Sequence, residues 1–298
     1  MTLVIAGHDI RKNDSKSGYV GEAKGLFVVA DSTITTGTQT LLSGFKKIYN
    51  IPISVYKPSF VGVYFHDYRS VFRQTNCFIA FAGSTLTAQH VLNAIGNHLC
   101  ELRIGHEFSN GGYQILMACQ ANSLTRRAGV DEWDEDMFRD SDMDDLLSGD
   151  VLCNVVLHSI RGALAGAKRH KVDAEGFKAL LTQYVLGAYC EVQKRHRLYT
   201  FTPMFTRDIS GVIDGIDVDV QEIEQGQLAV LGMTRFADTA NQEYLRAFNA
   251  GEDVKNSIFK FLNKSIDEVQ GNGDYEIDRP SLLRAFHRGT LTELAREG

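Results

Sequence analysis

Apolar, β-branched runs at residues 2–7 (TLVIAG) and 25–32 (GLFVVADS) predict two short buried strands. The segment between them, which includes KNDSKSGYVGEAK, is charged and glycine-bearing and longer than a tight turn needs. The two strands are therefore expected to pair as a hairpin around a surface excursion. A second strand pair is predicted over 46–55 (KKIYNIPISV) and 77–82 (CFIAFA), separated by an inserted, aromatic-rich element, KPSFVGVYFHDYRSVF. After Gly83 and Ser84 the period changes. Val91, Leu92, Ile95, Leu99 and Leu102 fall on one face of a helix entered through Thr85 or Thr87. A second helix over 150–169 carries a stripe of Val151, Leu152, Val155, Val156, Ile160, Leu164 and Ala167, wide enough to pack on a sheet and on a neighbouring helix. Residues 184–191, 197–201, 216–224 and 227–232 read as strands with short polar connections, which favour antiparallel pairing. Helical spacing returns over 239–250 and 253–268, and 280–297 predicts a closing helix with Pro280 in its first turn. With no internal repeat and no linker composition, one domain over 1–298 is expected.

Composition narrows the function classes. The 298 residues are 44% hydrophobic and 23% charged, as in a globular chain with a full core. Against 37 Asp and Glu there are 31 Lys and Arg, so the positive excess that phosphate backbones reward is missing and nucleic acid is not an expected partner. No apolar run reaches the roughly 18–20 residues that span a bilayer, and the start, MTLVIAGHDIRK, has no basic region before its apolar stretch. A cytoplasmic location, with no membrane contact, is the expectation. Cys77, Cys100, Cys119, Cys153 and Cys190 form no CxxC pair and have no histidine at zinc-finger spacing, so they read as reduced core thiols; no metal and no cofactor is expected.

Other candidate motifs fail on their chemistry. Asp140, Asp142 and Asp144 imitate the first half of a calcium loop, but Asp145 stands where glycine belongs and Val151 where a bidentate glutamate belongs. A solvated acidic loop ending in a helix N-cap is the simpler reading. His90 and His98 share a helix face only loosely, and His66-Asp67 has no nucleophile signature beside it. The segment GSTLTA lacks the GxSxG pattern of serine hydrolases, and the GNG at 271–273 is too short for a dinucleotide fingerprint.

The feature with chemical content is Thr2. If Met1 is removed, Thr2 carries a free amine whose ordinary pKa of about 7.7–8.0 lets it serve as general base for its own hydroxyl. Met-Thr starts are common, so the order of the following pieces matters more. The threonine opens a strand, a hairpin partner ends in Ala30-Asp31-Ser32, Phe45-Lys46-Lys47-Ile48 follows, and FIAFAG at 78–83 leads into a helix. This arrangement resembles the proteasome β-subunit family of N-terminal nucleophile hydrolases, in particular its bacterial homologues of the HslV and Anbu kind. In that family the aspartate and lysine lie sixteen positions apart, as Asp31 and Lys47 do here.

The resemblance implies an α+β fold, an αββα four-layer sandwich of two antiparallel sheets flanked by helices. It is interrupted by insertions near residues 10–24, 56–75 and 105–147. It implies a threonine-type endopeptidase with Thr2 as nucleophile, Asp31 as the carboxylate holding Lys47, and Lys47 as the cation that keeps the hydroxyl acidic. Ala80 falls at the position whose backbone N–H forms the oxyanion hole, and Asp267 at the aspartate supporting the nucleophile's amine. Phe45, Phe78 and Ala82 fall at positions lining the substrate pocket. Met233 and Gln270 stand where supporting serines are expected. The implied partners are further copies of the chain in a ring or open ring-like array, a peptide or unfolded-protein substrate, and an ATP-dependent unfoldase. Two other readings stay open: a non-catalytic assembly subunit, and an amidohydrolase of the same nucleophile type acting on a small amide.

Overall fold

The computed structural model describes residues 2–11, 23–36, 39–107, 111–134, 137–169, 176, 180–207 and 209–298. Met1 and most of the excursion expected near 10–24 lie outside the described residues. In chain order the strands and helices are β1 (Leu3–His8), β2 (Leu26–Ala30), β3 (Ile34–Thr36), β4 (Gln39–Leu42), β5 (Ile48–Val61), β6 (Tyr64–Ala82), α1 (Thr85–Leu99), β7 (Leu102–Glu107), β8 (Gly112–Leu116), α2 (Ser123–Arg126), α3 (Asp140–Met143), α4 (Gly149–Arg169), β9 (Gln183–Cys190), β10 (Arg195–Arg207), β11 (Ile213–Glu222), β12 (Leu228–Gly232), α5 (Ala237–Ala250), α6 (Val254–Gly271), β13 (Ser281–His287) and β14 (Thr290–Glu297).

The fold is α+β. A five-stranded sheet has the order β12-β1-β2-β13-β14, a seven-stranded sheet the order β11-β10-β9-β6-β5-β7-β8, and β3 and β4 form a separate ribbon. Alternation of side chains along each strand sorts the apolar residues by face. Val4, Ala6, Leu26 and Val28 of the smaller sheet share a buried cluster with Ile48, Phe78, Ala80, Val185 and Leu198 of the larger. Their neighbours Leu3, Ile5, Phe27 and Val29 pack instead with Tyr244 of α5 and Ile258, Leu262 and Ile266 of α6. On the larger sheet, Cys77, Ile79 and Phe81 pack with Val91 and Ile95 of α1 and Val156 and Ile160 of α4. No helix among the described residues is long and apolar enough to cross a membrane.

One expectation is corrected. Residues 280–297 form a hairpin, with β13 paired to β2 through Leu282↔Ala30 and to β14 through His287↔Thr290. The turn has Arg288 at φ 43° and Gly289 at φ 82°, the left-handed pair of a tight hairpin, and the open edge of β2 supplies a partner that outweighs helical spacing. Residues 56–75 form the far ends of β5 and β6 and the turn between them. They extend the β5–β6 ladder out to Val61↔Tyr64 across three register shifts, and Phe60 packs on Phe138 with ring centroids 5.4 Å apart. The acidic tract does not converge as a cation loop would. Asp140 bonds Lys57 at 3.0 Å and Asp144 bonds Arg73 at 2.9 Å, while Ser148 Oγ accepts from Val151 N at the start of α4.

One buried histidine sets an acid limit on the fold. The His196 ring lies 5.0 Å from Tyr189 and accepts a hydrogen bond from Arg288 N at 3.3 Å, which a protonated Nε2 cannot do. Burial first, then the charges of His287, His8 and Arg288, push its pKa down from 6.5 to about 4. The unfolded chain therefore takes up a proton that the folded chain refuses, so stability falls as pH drops from about 6.5 towards about 4. Denaturant unfolding across that window is expected to show this loss, and His196→Gln to flatten it.

Candidate active site

Thr2 stands immediately before β1 and Asp31 immediately after β2. Because these strands are antiparallel, with Val4 opposite Ala30, the two residues meet at one end of the smaller sheet. Lys47 immediately precedes β5 of the larger sheet, and the bond from Phe45 N to Ser32 O, 2.7 Å, ties its approach to the end of β2. The three side chains thus converge where the sheets meet. Lys47 Nζ donates to Asp31 Oδ2 at 2.7 Å and to Thr2 Oγ1 at 2.9 Å. Thr2, Asp31 and Lys47 are 6%, 0% and 3% exposed, so the contacts form away from bulk water.

Asp31 is held from several directions. Its Oδ1 accepts from Leu3 N at 2.9 Å, and its Oδ2 accepts from Thr33 Oγ1 at 2.8 Å and Thr33 N at 3.3 Å besides Lys47. This anchorage fixes Lys47 in turn. Burial pushes the Lys47 pKa down, opposed by the charge and hydrogen bond of Asp31. An ammonium group only donates, so Thr2 Oγ1 is the acceptor and its own proton is free for a base on its other side.

The backbone around Thr2 is equally constrained. Thr2 O accepts from Met233 N at 3.0 Å, and Gly232 N donates to Gln183 Oε1 at 2.8 Å. Gly232 has φ +82°, and a Cβ there would overlap Thr2 O, so only glycine fits this close approach.

Beside the three residues opens a cleft of about 410 Å³ lined by Thr2, Thr33, Ile34, Lys47, Phe81, Gly83, Ser84 and Thr85. Phe45 is half-buried and meets Phe81 edge-on at 6.3 Å. The other residues expected here lie elsewhere. Phe78 is fully buried between the sheets, 5.5 Å from Phe286, and Ala82 is buried in the same cluster. The strand period explains it: 78, 80 and 82 face the inter-sheet core, and Phe81 faces the other side. Ala80 sits opposite both Ile48 and Val185 in an interior strand. Since Phe81 N–H donates to Lys47 O at 3.3 Å, alternation turns the Ala80 amide towards β9, away from the Lys47 segment. Asp267 is 62% exposed on α6 and pairs with Arg279 at 2.8 Å. Met233 is buried against the helices of the smaller sheet, and Gln270 donates to Asp278 at 2.7 Å.

The sequence reading missed Thr33, Ile34, Phe81, Gly83, Ser84 and Thr85. Ser84 caps α1 by accepting from Thr87 N at 3.3 Å, so the first turn of a fifteen-residue helix borders the cleft. Its leading N–H groups have no intrahelical acceptor and carry the positive end of the helix dipole.

No protein-family profile matches this chain. No curated protein matches it either. Among solved structures it is similar to a Gly-1 mutant of Anbu from Hyphomicrobium sp. strain MC1, with 12% identity and a TM-score of 0.49 over 100% of this chain and 86% of that one. It is also similar to Anbu (ancestral beta-subunit) from Yersinia bercovieri, with 10% identity and a TM-score of 0.49 over 98% of this chain and 86% of that one.

Proposed function

We propose that this chain is a proteasome-like threonine peptidase whose nucleophile is Thr2, exposed by removal of Met1. The observation that carries this reading is the buried bridge in which Lys47 Nζ contacts both Thr2 Oγ1 and Asp31 Oδ2. The three buried clusters support the matching architecture, with helices outside each of two facing sheets in an αββα sandwich.

In the proposed reaction the free amine of Thr2 accepts the hydroxyl proton as Oγ1 bonds to the substrate carbonyl carbon. Lys47 stabilises the developing alkoxide, and Asp31 holds Lys47 in place. The first-turn amides of α1, at the cleft wall near Ser84 and Thr85, meet the negative charge on the carbonyl oxygen, a role the Ala80 amide is turned away from. The amine then passes its proton to the departing amino group, leaving an ester on Thr2. Water, deprotonated by the same amine, hydrolyses the ester and restores the enzyme. Phe81 and Ile34 give the cleft an apolar wall for a substrate side chain. Self-assembly into a ring or open array, and feeding by an unfoldase, belong to this reading as what the family resemblance implies.

A second reading, a non-catalytic assembly subunit, is favoured by the placement of Asp267 at the surface and of Met233 in the core. Intact mass separates the two. The native chain is expected to lack Met1 and to gain one equivalent of a covalent probe that needs both the hydroxyl and the free amine of an N-terminal threonine. Thr2→Ala is expected to gain none. A retained Met1 with no adduct overturns the peptidase reading.

A further inference from the structure

We infer that this protein has a divalent metal site of the zinc class, formed by His98, Cys119 and His158, separate from the Thr2 cleft. His98 lies at the C-terminal end of α1, His158 lies in α4 packed alongside it, and Cys119 follows β8 in a turn. Their donor atoms all lie within 4.8 Å of one another. Cys119 Sγ is 3.6 Å from His98 Nε2 and 3.6 Å from His158 Nε2. A tetrahedral zinc with Zn–S of about 2.3 Å and Zn–N of about 2.0–2.1 Å has a sulfur-to-nitrogen edge of about 3.6 Å. Both sulfur-to-nitrogen distances match that spacing.

The hydrogen bonds around the cluster also prepare a ligand. Ser159 Oγ spends its only proton on Val155 O, at 2.7 Å. It can therefore only accept from His98, whose Nδ1 is 2.8 Å away, so that nitrogen carries the ring proton. His98 Nε2 is left as a bare lone pair aimed at Cys119. This is the arrangement by which a metal-binding histidine is oriented through its second nitrogen, and Ser159 is fully buried and rigidly placed to do it. One thiolate and two imidazoles select zinc or another late first-row ion over calcium or magnesium, which take oxygen ligands. Binding forms a sulfur–metal bond and releases the Cys119 thiol proton to solvent. Cys119 and His158 are exposed, which leaves the fourth position to water. The ion would tie the turn after β8 to α1 and α4.

This site is independent of the proposed peptidase chemistry. His98 lies thirteen residues along α1 from Thr85 at the cleft, about 20 Å at helical rise. The test is titration of the reduced, metal-stripped chain with cobalt(II), followed by zinc. The expected result is one cobalt per chain with a thiolate-to-cobalt charge-transfer band and intense tetrahedral ligand-field bands, all lost when zinc displaces it. Cys119→Ser is expected to abolish the charge-transfer band, His158→Ala to weaken binding by at least about 100-fold, and Ser159→Ala by about 10–100-fold. Absence of the band in the wild-type chain overturns the inference. The same band in Cys119→Ser, or unchanged affinity in His158→Ala, overturns it as well, because either would place the metal elsewhere. Reactivity of Thr2 with its probe is unaffected by any of these outcomes.

Discussion

In the proposed peptidase, Lys47→Met is expected to lower peptide hydrolysis on the order of 10⁴-fold, in the range seen when one member of a nucleophile-activating unit is removed. The loss comes from Thr2. Without the ammonium at 2.9 Å, the alkoxide that forms at Oγ1 has no compensating charge in a site closed to bulk water. The same substitution is expected to cost about 3–5 kcal/mol of stability, because the Asp31 carboxylate, fully buried, loses its cation and keeps only neutral donors. The double variant Asp31→Asn with Lys47→Met separates the effects. It is expected to recover part of the stability and none of the activity. Denaturant unfolding and peptide turnover on the three chains check this, and a single variant as stable and as active as the wild type would contradict the role given to Lys47.

The next largest effect is expected from Gly232→Ala, the addition of one methyl group. At φ +82° an alanine meets a backbone penalty of roughly 1–2 kcal/mol, and its Cβ would occupy the place of Thr2 O. Something must move, and the surroundings leave little choice. Gly232 N is bound to Gln183, and Met233 N is bound to the same Thr2 carbonyl, so the displacement passes to Thr2. A shift of about 1 Å at a reacting group can cost about 100-fold in rate, and a fall of at least that size is expected. Gly129→Ala is the control. It also has positive φ, at +77°, but opens on empty space, so it is expected to lower stability modestly and leave turnover unchanged.

Much of the fold was legible in local pattern. The β1–β2 hairpin, α1, α4 and the β9–β10–β11 meander follow from period and connection chemistry, because each carries one unambiguous periodicity, although most of their apolar residues are buried against elements far away in sequence. The closing segment was not legible, since Leu282, Leu283 and Phe286 fit a helix face as well as two strand faces. What decided it was the unpaired edge of β2, some 250 residues earlier in the chain.

The candidate site divides in the same way. The residue types and the sixteen-residue spacing of Asp31 and Lys47 were present in the chain, and strand ends bring Thr2 to them. The facing of Phe78, Ala80 and Ala82 depended on which side of β6 the second sheet covers. That is a choice between two equivalent strand faces, and local sequence does not encode it. Asp267 likewise lies at the surface because α6 runs on to Gly271 and turns it towards Arg279. The His98–Cys119–His158 cluster lies at the far limit. Its members are twenty-one and thirty-nine positions apart and form no spacing motif, and only the packing of α1 on α4 assembles them. Sequence by itself therefore determined the strands and helices with an unambiguous period and the identity of the polar groups. The tertiary structure alone decided which faces look inward and which distant side chains meet, because those depend on partners that a local window does not contain.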